Sequence, residues 1–138
     1  MLDTSILVAA IRSPTGASMA LVDLALKGAL EILISTALVL EYEAVLTRSE
    51  HLRIAEMSLE DVEKMLDAIC ETATEVKMRW NWRPQLNDAD DEMVLEAALN
   101  GRAGAIITFN RIHFVNAARR FGLAVLSPAE ALGRMGMK

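Results

Sequence analysis

The chain has 138 residues, of which 53% are hydrophobic but only 4% aromatic. Residues 1–138 are therefore expected to form one domain around a single aliphatic core. The formal net charge of −5 argues against a protein that grips nucleic acid through a broad basic surface. It still allows an enzyme whose metal ions bridge acids to phosphate, and it suits a basic peptide as a partner.

Apolar patterning predicts strands and helices that alternate along the chain. Predicted strands begin at residue 1 and cover 30–35, 75–79, 105–109 and 123–126. Predicted helices cover 17–27, 36–48, 50–56, 58–73, 93–99 and 112–121, with a last helix that opens at Ser127 and Pro128. This alternation indicates an α/β sandwich with a parallel sheet.

The first ten residues begin as an apolar strand that is interrupted by Asp3. A buried central strand normally carries more apolar residues ahead of such an acid, so we expect a short first strand. Ser58 is a predicted helix cap, and Pro128 is expected at the first position of the last helix.

No apolar run approaches the roughly 20 residues that a membrane span needs. The N-terminus has no basic stretch leading into an apolar one, so neither a membrane anchor nor a signal peptide is expected. Cys70 is the only cysteine, which fits a reducing cytoplasm. Its helical spacing from Leu66 and Ile69 predicts a buried structural thiol.

Four acids fall within the five residues 88–92, immediately before an apolar helical run. Carboxylates this close repel one another unless a cation lies among them, and a helix N-terminus supplies only about half a positive charge. A divalent ion supplies more. The alternative is structural: Asp88 caps the helix, Asp91 is its capping-box partner, and the other acids are solvated.

Candidate functional residues cluster at one predicted edge of the sheet. Asp3 lies near the end of the first strand, Asn110 follows the fourth, and the acidic segment opens the helix that leads into the fourth. In parallel α/β sheets, ligands bind at the carboxyl ends of the strands. These residues are therefore expected to converge.

Three segments carry a family resemblance: Asp3-Thr4-Ser5-Ile6-Leu7-Val8, Asp91-Glu92-Met93-Val94-Leu95-Glu96-Ala97-Ala98 and Ile107-Thr108-Phe109-Asn110. In this order they resemble the PIN-domain ribonucleases, and more narrowly the VapC-like toxins of toxin–antitoxin pairs. The resemblance covers essentially the whole chain. It implies a three-layer α/β/α sandwich with a mostly parallel, roughly five-stranded central sheet, and metal-dependent hydrolysis of RNA.

The resemblance also implies roles for individual residues. The implied metal-binding acids are Asp3, Glu41, Asp88 and Asp91, of which Asp3, Glu41 and Asp91 form the catalytic set. The implied supporting residues are Thr4, Ser5, Thr108 and Asn110. Glu43 is the reserve choice for Glu41, although two positions along a helix it faces elsewhere.

The chain departs from the family pattern at Asn110, where many relatives carry an aspartate. Asn110 can orient a carboxylate or a water but brings no charge, which leaves open whether one metal ion binds or two. His113 is a possible ligand for a softer ion such as Mn²⁺. A histidine before Phe114 is more often a packing or hydrogen-bonding residue.

The expected cofactor is Mg²⁺ or Mn²⁺, because both suit carboxylate oxygens. Two such ions about 3.5–4 Å apart activate water and stabilise the leaving oxygen of a phosphodiester. We expect Asp3 and Asp91 to hold the first ion and Glu41 and Asp88 to complete the site. Asp90 and Glu92 are expected to point outward.

RNA contacts are expected from the segment before the acids and from one arginine beyond them. Trp80 offers a base-stacking surface, flanked by Arg79 and Arg83, and Arg111 adds a local positive charge. Trp82 is instead assigned to the core or a dimer interface. The resemblance further implies a homodimer and a cognate antitoxin that presents a basic side chain to the acids.

Two rival interpretations remain. The first is a catalytically silent PIN-like module that binds RNA or protein, favoured by the missing fourth acid and the short first strand. The second is a receiver-like phosphoacceptor domain, which would want an acid pair after the first strand and a lysine after the last. Leu126-Ser127-Pro128 contains no lysine.

Overall fold

The computed structural model describes residues 1–77 and 89–136. The helices are α1 (Thr4–Arg12), α2 (Ala17–Leu26), α3 (Thr36–Leu46), α4 (Ser49–Ala55), α5 (Leu59–Thr72), α6 (Ala89–Asn100), α7 (Arg111–Arg120) and α8 (Pro128–Arg134). The strands are β1 (Leu33–Ile34), β2 (Thr74–Glu75), β3 (Ala105–Ile107) and β4 (Ala124–Leu126). The chain is therefore α/β, as predicted, but richer in helix than in strand.

All strand pairings among the described residues are parallel. β1 pairs with β2, β3 pairs with β4, and Leu2 forms an isolated parallel bridge to Ile107. Backbone hydrogen bonds on both sides of Leu2 reinforce that bridge: Asp3 N–H donates to the Ile107 carbonyl, and Ile107 N–H donates to the Met1 carbonyl. The start of the chain thus lies beside β3.

The single five-stranded sheet predicted from the sequence is not confirmed. The described residues form two separate two-stranded sheets and one isolated bridge. The strands are short because helix starts follow them closely. Ser35 after β1 and Ser127 after β4 accept backbone N–H groups as helix caps, which ends the extended backbone after two or three paired residues.

The expected strand at the start of the chain is limited to the residues before Thr4. From Thr4 onward the backbone is helical, and the buried residues of α1 are Ile6, Leu7, Ala10 and Ile11. Their spacing matches one face of a helix. The apolar pattern of this segment fits a strand as well as a helix. Packing decides in favour of a helix, since α1 lies against α2 and α3.

Helix starts agree best with the sequence-based predictions. Ser58 caps α5 with a complete capping box to Asp61, and Ser127 caps α8 with a complete capping box to Glu130, with Pro128 at the first position. The Ser58 backbone N–H and hydroxyl lower the pKa of Asp61. The capping signals in the sequence therefore identify real helix boundaries.

One hydrophobic cluster extends from Met1 to Leu132 and is almost entirely aliphatic. Tyr42 and Phe114 are its largest fully buried side chains. Cys70 packs against this cluster but is only partly buried. The prediction of a fully buried thiol is therefore wrong, although the packing against the core is present. Partial burial raises the pKa of the thiol.

No single helix in residues 1–77 and 89–136 is both long and apolar enough to cross a membrane. α1 and α2 pass a test of length and composition only when taken together, as a pair bent by 105°.

Gly101, which follows α6, lies close to two buried side chains: Leu33 in β1 and Val76, the residue after β2. A Cβ at this position would lie 2.6 Å from Leu33 Cδ1 and 2.7 Å from Val76 Cγ2. We expect Gly101→Ala to lower the free energy of unfolding by about 1–3 kcal/mol, because overpacking forces buried neighbours to move. Urea unfolding monitored by circular dichroism measures this loss.

Gly104→Ala is the matched control, since a Cβ there meets no atom within 4 Å. It is expected to be neutral or slightly stabilising. Equal stability of the two variants would contradict the close approach of α6 to β1.

Candidate active site

Asp3 occupies the N-cap position of α1, but its side chain does not cap the helix. Its carboxylate Oδ2 instead accepts hydrogen bonds from Ser5 Oγ at 2.9 Å and from Thr108 Oγ1 at 2.6 Å. The side chain is buried, with 6% of the residue exposed. A buried carboxylate that accepts two hydroxyl hydrogen bonds is fixed in position.

Backbone groups orient both of these hydroxyls. Phe109 N–H donates to Ser5 Oγ at 3.3 Å, and Asn110 N–H donates to Thr108 Oγ1 at 2.9 Å. Each hydroxyl has a single proton, and its oxygen already accepts a backbone N–H, so that proton is directed at Asp3. The turn between β3 and α7 therefore determines how Asp3 is held.

Both hydroxyls use the same oxygen of Asp3. Within residues 1–77 and 89–136, no donor is bonded to Oδ1, and Asp3 lines a cavity of about 590 Å³. The other lining residues are Thr4, Ser5, Val8, Ala9, Arg12, Ser13, Glu41, Val45, Arg48 and Asn110. A carboxylate in the wall of such a cavity provides the oxygen ligand that hard cations prefer.

Glu41 brings a second carboxylate to the cavity from α3. It is half-buried, whereas Glu43 is exposed and does not line the cavity. The adjacent Tyr42 is fully buried and donates its hydroxyl proton to the Leu2 carbonyl. Burial, and secondarily the nearby charge of Asp3, raises the pKa of Tyr42.

Asp91 is buried in the first turn of α6 and is not among the residues that line this cavity. Its Oδ2 lies 3.0 Å from Nδ1 of His113, whose side chain is 49% exposed. His113 belongs to the first turn of α7, three residues after Asn110. The histidine thus orients an acid, in line with the hydrogen-bonding role expected for it.

Glu92 does not point outward as expected, since only 4% of it is exposed. Consecutive positions in α6 normally face different directions, but Asp91 and Glu92 both fall on the broad surface that the helix buries against α3, α7 and β3. The side chain of Asp90 and the whole of Asp88 lie outside the described residues.

The expected RNA-binding residues Arg79, Trp80 and Arg83, together with Trp82, lie outside the described residues. Arg111 is described, and its guanidinium pairs with Glu130 Oε1 at 2.7 Å. Hydrogen bonds from the Ser127 backbone and hydroxyl, with Arg111 as a lesser cause, lower the pKa of Glu130. Arg111 therefore has an intramolecular partner that any RNA phosphate must compete with.

The structure thus gathers five predicted site residues around one cavity: Asp3, Thr4, Ser5, Glu41 and Asn110. Thr108 does not line the cavity but donates a hydrogen bond to Asp3. Among the described side chains, no group of three or more His, Cys, Asp or Glu residues is arranged to hold a metal ion. The two carboxylates at the cavity still provide the type of oxygen donor that Mg²⁺ and Mn²⁺ accept.

Sequence analysis missed Arg12 and Arg48, which line the same cavity. Arg12 ends α1 and looks like an ordinary last-turn cation. Arg48 carried a usable signal, because it directly precedes Ser49, a residue type that would itself make a good helix cap.

Comparisons with known proteins add one match. A family model described as a PIN domain matches residues 1–112. The matched range contains Asp3, Glu41, Asp91 and Asn110, and ends inside the first turn of α7. No curated protein and no solved structure matches the chain significantly.

Thr108→Val removes the buried hydroxyl while keeping the side-chain shape. It leaves Asp3 with one donor and the Asn110 N–H without its acceptor, so we expect a loss of about 1–3 kcal/mol in the free energy of unfolding. Thr108→Ser retains the hydroxyl and should be the more stable variant of the two. Chemical unfolding at neutral pH measures both, and equal stabilities would show that the hydroxyl does not support Asp3.

Proposed function

Because the chain belongs to the PIN-domain family, whose members are in general metal-dependent nucleases, we propose that it is a ribonuclease that hydrolyses phosphodiester bonds with Mg²⁺ or Mn²⁺. One observation carries the proposal. The buried Asp3 carboxylate, held by Ser5 and Thr108, lines the same cavity as Glu41. The whole chain, residues 1–138, is proposed to act as one PIN-like domain.

Asp3 and Glu41 are the residues proposed to hold the ion, with Asp91 and Asp88 completing the set. When bound, a divalent ion at such oxygens supplies Lewis acidity and charge neutralisation for a phosphodiester. Ser5 and Thr108 hold the Asp3 carboxylate in position, since both donate a hydrogen bond to Oδ2. His113 orients Asp91 in the way that outer residues orient metal ligands.

Thr4 and Asn110 complete the polar lining of the cavity. The Thr4 hydroxyl and the Asn110 amide can each donate a hydrogen bond to a phosphate oxygen without competing for a cation. Asn110 stands where an additional acid would bring a further negative charge. Its neutrality reduces repulsion of the RNA backbone, at the cost of one ligand for a second ion.

We expect Asp3→Asn and Glu41→Gln each to reduce Mg²⁺- or Mn²⁺-dependent cleavage of single-stranded RNA by at least about 100-fold. Each removes a charged ligand of the ion, and the ion stabilises the negative charge that builds up in the transition state. Cleavage of a labelled oligonucleotide, followed by gel electrophoresis, measures the rates. Thermal unfolding of each variant checks that the fold is retained.

Glu43→Gln is the matched control, because it makes the same chemical change two residues further along α3 at an exposed position outside the cavity. It should cleave at the rate of the unaltered protein. Full activity of Asp3→Asn, or an equal loss in Glu43→Gln, would overturn the proposed assignment of the acids.

A catalytically silent PIN-like module is the second candidate. It is favoured by Asn110, which brings no charge, and by the contact between Asp91 and His113. Isothermal calorimetry of metal binding and an RNA cleavage assay together separate the two candidates. A nuclease takes up Mg²⁺ or Mn²⁺ at millimolar concentration and cleaves RNA. A silent module binds RNA or protein but cleaves nothing with either ion.

The biological setting is proposed from the family resemblance alone. We place the protein in the cytoplasm, as the VapC-like toxin of a toxin–antitoxin pair and as a homodimer. The antitoxin is proposed to direct a basic side chain at Asp3 and Glu41, which the net charge of −5 would favour. Co-purification with the product of a neighbouring small, basic open reading frame tests this.

A further inference from the structure

The cavity at Asp3 is a groove with a regular charge pattern along both walls. On α1 the lining residues are 4, 5, 8, 9 and 12, which is one helical face. The other wall carries Glu41 and Val45, one helical turn apart on α3, and Arg48, which precedes α4. Asp3 directly precedes the α1 wall and Arg12 is the last residue of that helix, while Glu41 and Arg48 lie at the two ends of the other wall.

The α1 wall is longer than one phosphate group. Nine helical residues rise about 12 Å from Thr4 to Arg12, which is longer than the distance between neighbouring phosphates of a nucleic-acid strand. A nucleic-acid strand lying in the groove would thus bring more than one phosphate against this wall. Acids can meet a phosphate only through a cation, whereas arginines bind it directly.

The guanidinium groups of Arg12 and Arg48 make no salt bridge within the described residues, unlike that of Arg111 with Glu130. Both side chains are exposed. Each guanidinium consequently keeps its five donors for a ligand in the groove. Arg12 has a structural alternative, since a cation in the last turn interacts favourably with the helix dipole.

Arg48 gains no such favourable interaction with a helix dipole, and its position disfavours an arginine. It occupies the N-cap position of α4 without making a side-chain cap. That position favours a short side chain that accepts hydrogen bonds, and a cation there opposes the helix dipole. A residue that breaks a local rule and also lines a cavity is best explained by binding.

We propose that Arg12 and Arg48 form a clamp for a backbone phosphate of single-stranded RNA, next to the phosphate that is cleaved at Asp3 and Glu41. This inference rests on the proposed ribonuclease function. The guanidinium fork matches phosphate oxygens in a bidentate geometry that lysine cannot reproduce. The clamp sets how the strand lies in the groove and carries no sequence preference.

Binding is measured without cleavage, by fluorescence anisotropy of a labelled single-stranded RNA with Ca²⁺ in place of Mg²⁺. We expect Arg12→Gln and Arg48→Gln each to weaken binding about 5- to 20-fold. Each should also make the slope of log K against log salt shallower, by at most about 0.7, the value for the one phosphate contact that the two side chains share. Arg53→Gln is the control, because Arg53 is exposed on α4 but does not line the groove.

A second substitution separates binding from folding. Arg48→Ser introduces a favourable N-cap residue, so we expect the Tm to rise by about 2–5 °C while RNA affinity falls as in Arg48→Gln. Damage to the fold would lower both. A variant that is more stable and binds RNA as tightly as the unaltered protein would overturn the clamp.

The proposed phosphate clamp and the proposed nuclease activity can be rejected independently. RNA cleavage that depends on Asp3, with affinity and salt slope unchanged in both arginine variants, would overturn the clamp and leave the nuclease. If the unaltered protein cleaves no RNA but both arginine variants bind RNA more weakly, the nuclease proposal is overturned and the clamp is retained. Absence of RNA binding by the unaltered protein would overturn the clamp outright.

Discussion

The hydrogen bonds between two hydroxyls and the Asp3 carboxylate organise the site. Ser5 comes from the start of α1, and Thr108 comes from the end of β3, more than a hundred residues later. The same two hydroxyls receive the N–H groups of Phe109 and Asn110. A buried charge is costly unless it is hydrogen-bonded, so the turn after β3 and the first residues of the chain must be correctly placed together.

Local chemistry in the sequence predicted helix starts well. Serine caps, a proline at a first helical position and the spacing of apolar residues act within one turn of helix, and they identified the starts of α3, α5 and α8. The alternation of short strands and helices also gave the fold class. Most of these signals depend on neighbours in the chain, which a sequence displays directly.

The predictions that were wrong depend on packing between distant segments. The run after Asp3 is apolar enough for a strand or a helix, and its contacts with α2 and α3 decide in favour of a helix. Glu92 was placed outside by the rule that first-turn acids are solvated, yet it is buried with Asp91. For the site, the sequence located Asp3, Glu41 and Asn110 at one cavity, but the arginines on the same walls follow only from the way α1 and the segment from α3 to α4 face each other.

The hydrogen bond from Tyr42 to the Leu2 carbonyl joins the residue beside Glu41 to the residue beside Asp3. It is buried within the core, where no water competes for it. This bond ties α3 to the start of the chain and so constrains the spacing between the segments that carry Glu41 and Asp3. A constrained spacing of these two acids suits the proposed metal-dependent hydrolysis, which requires its reacting groups in a defined geometry.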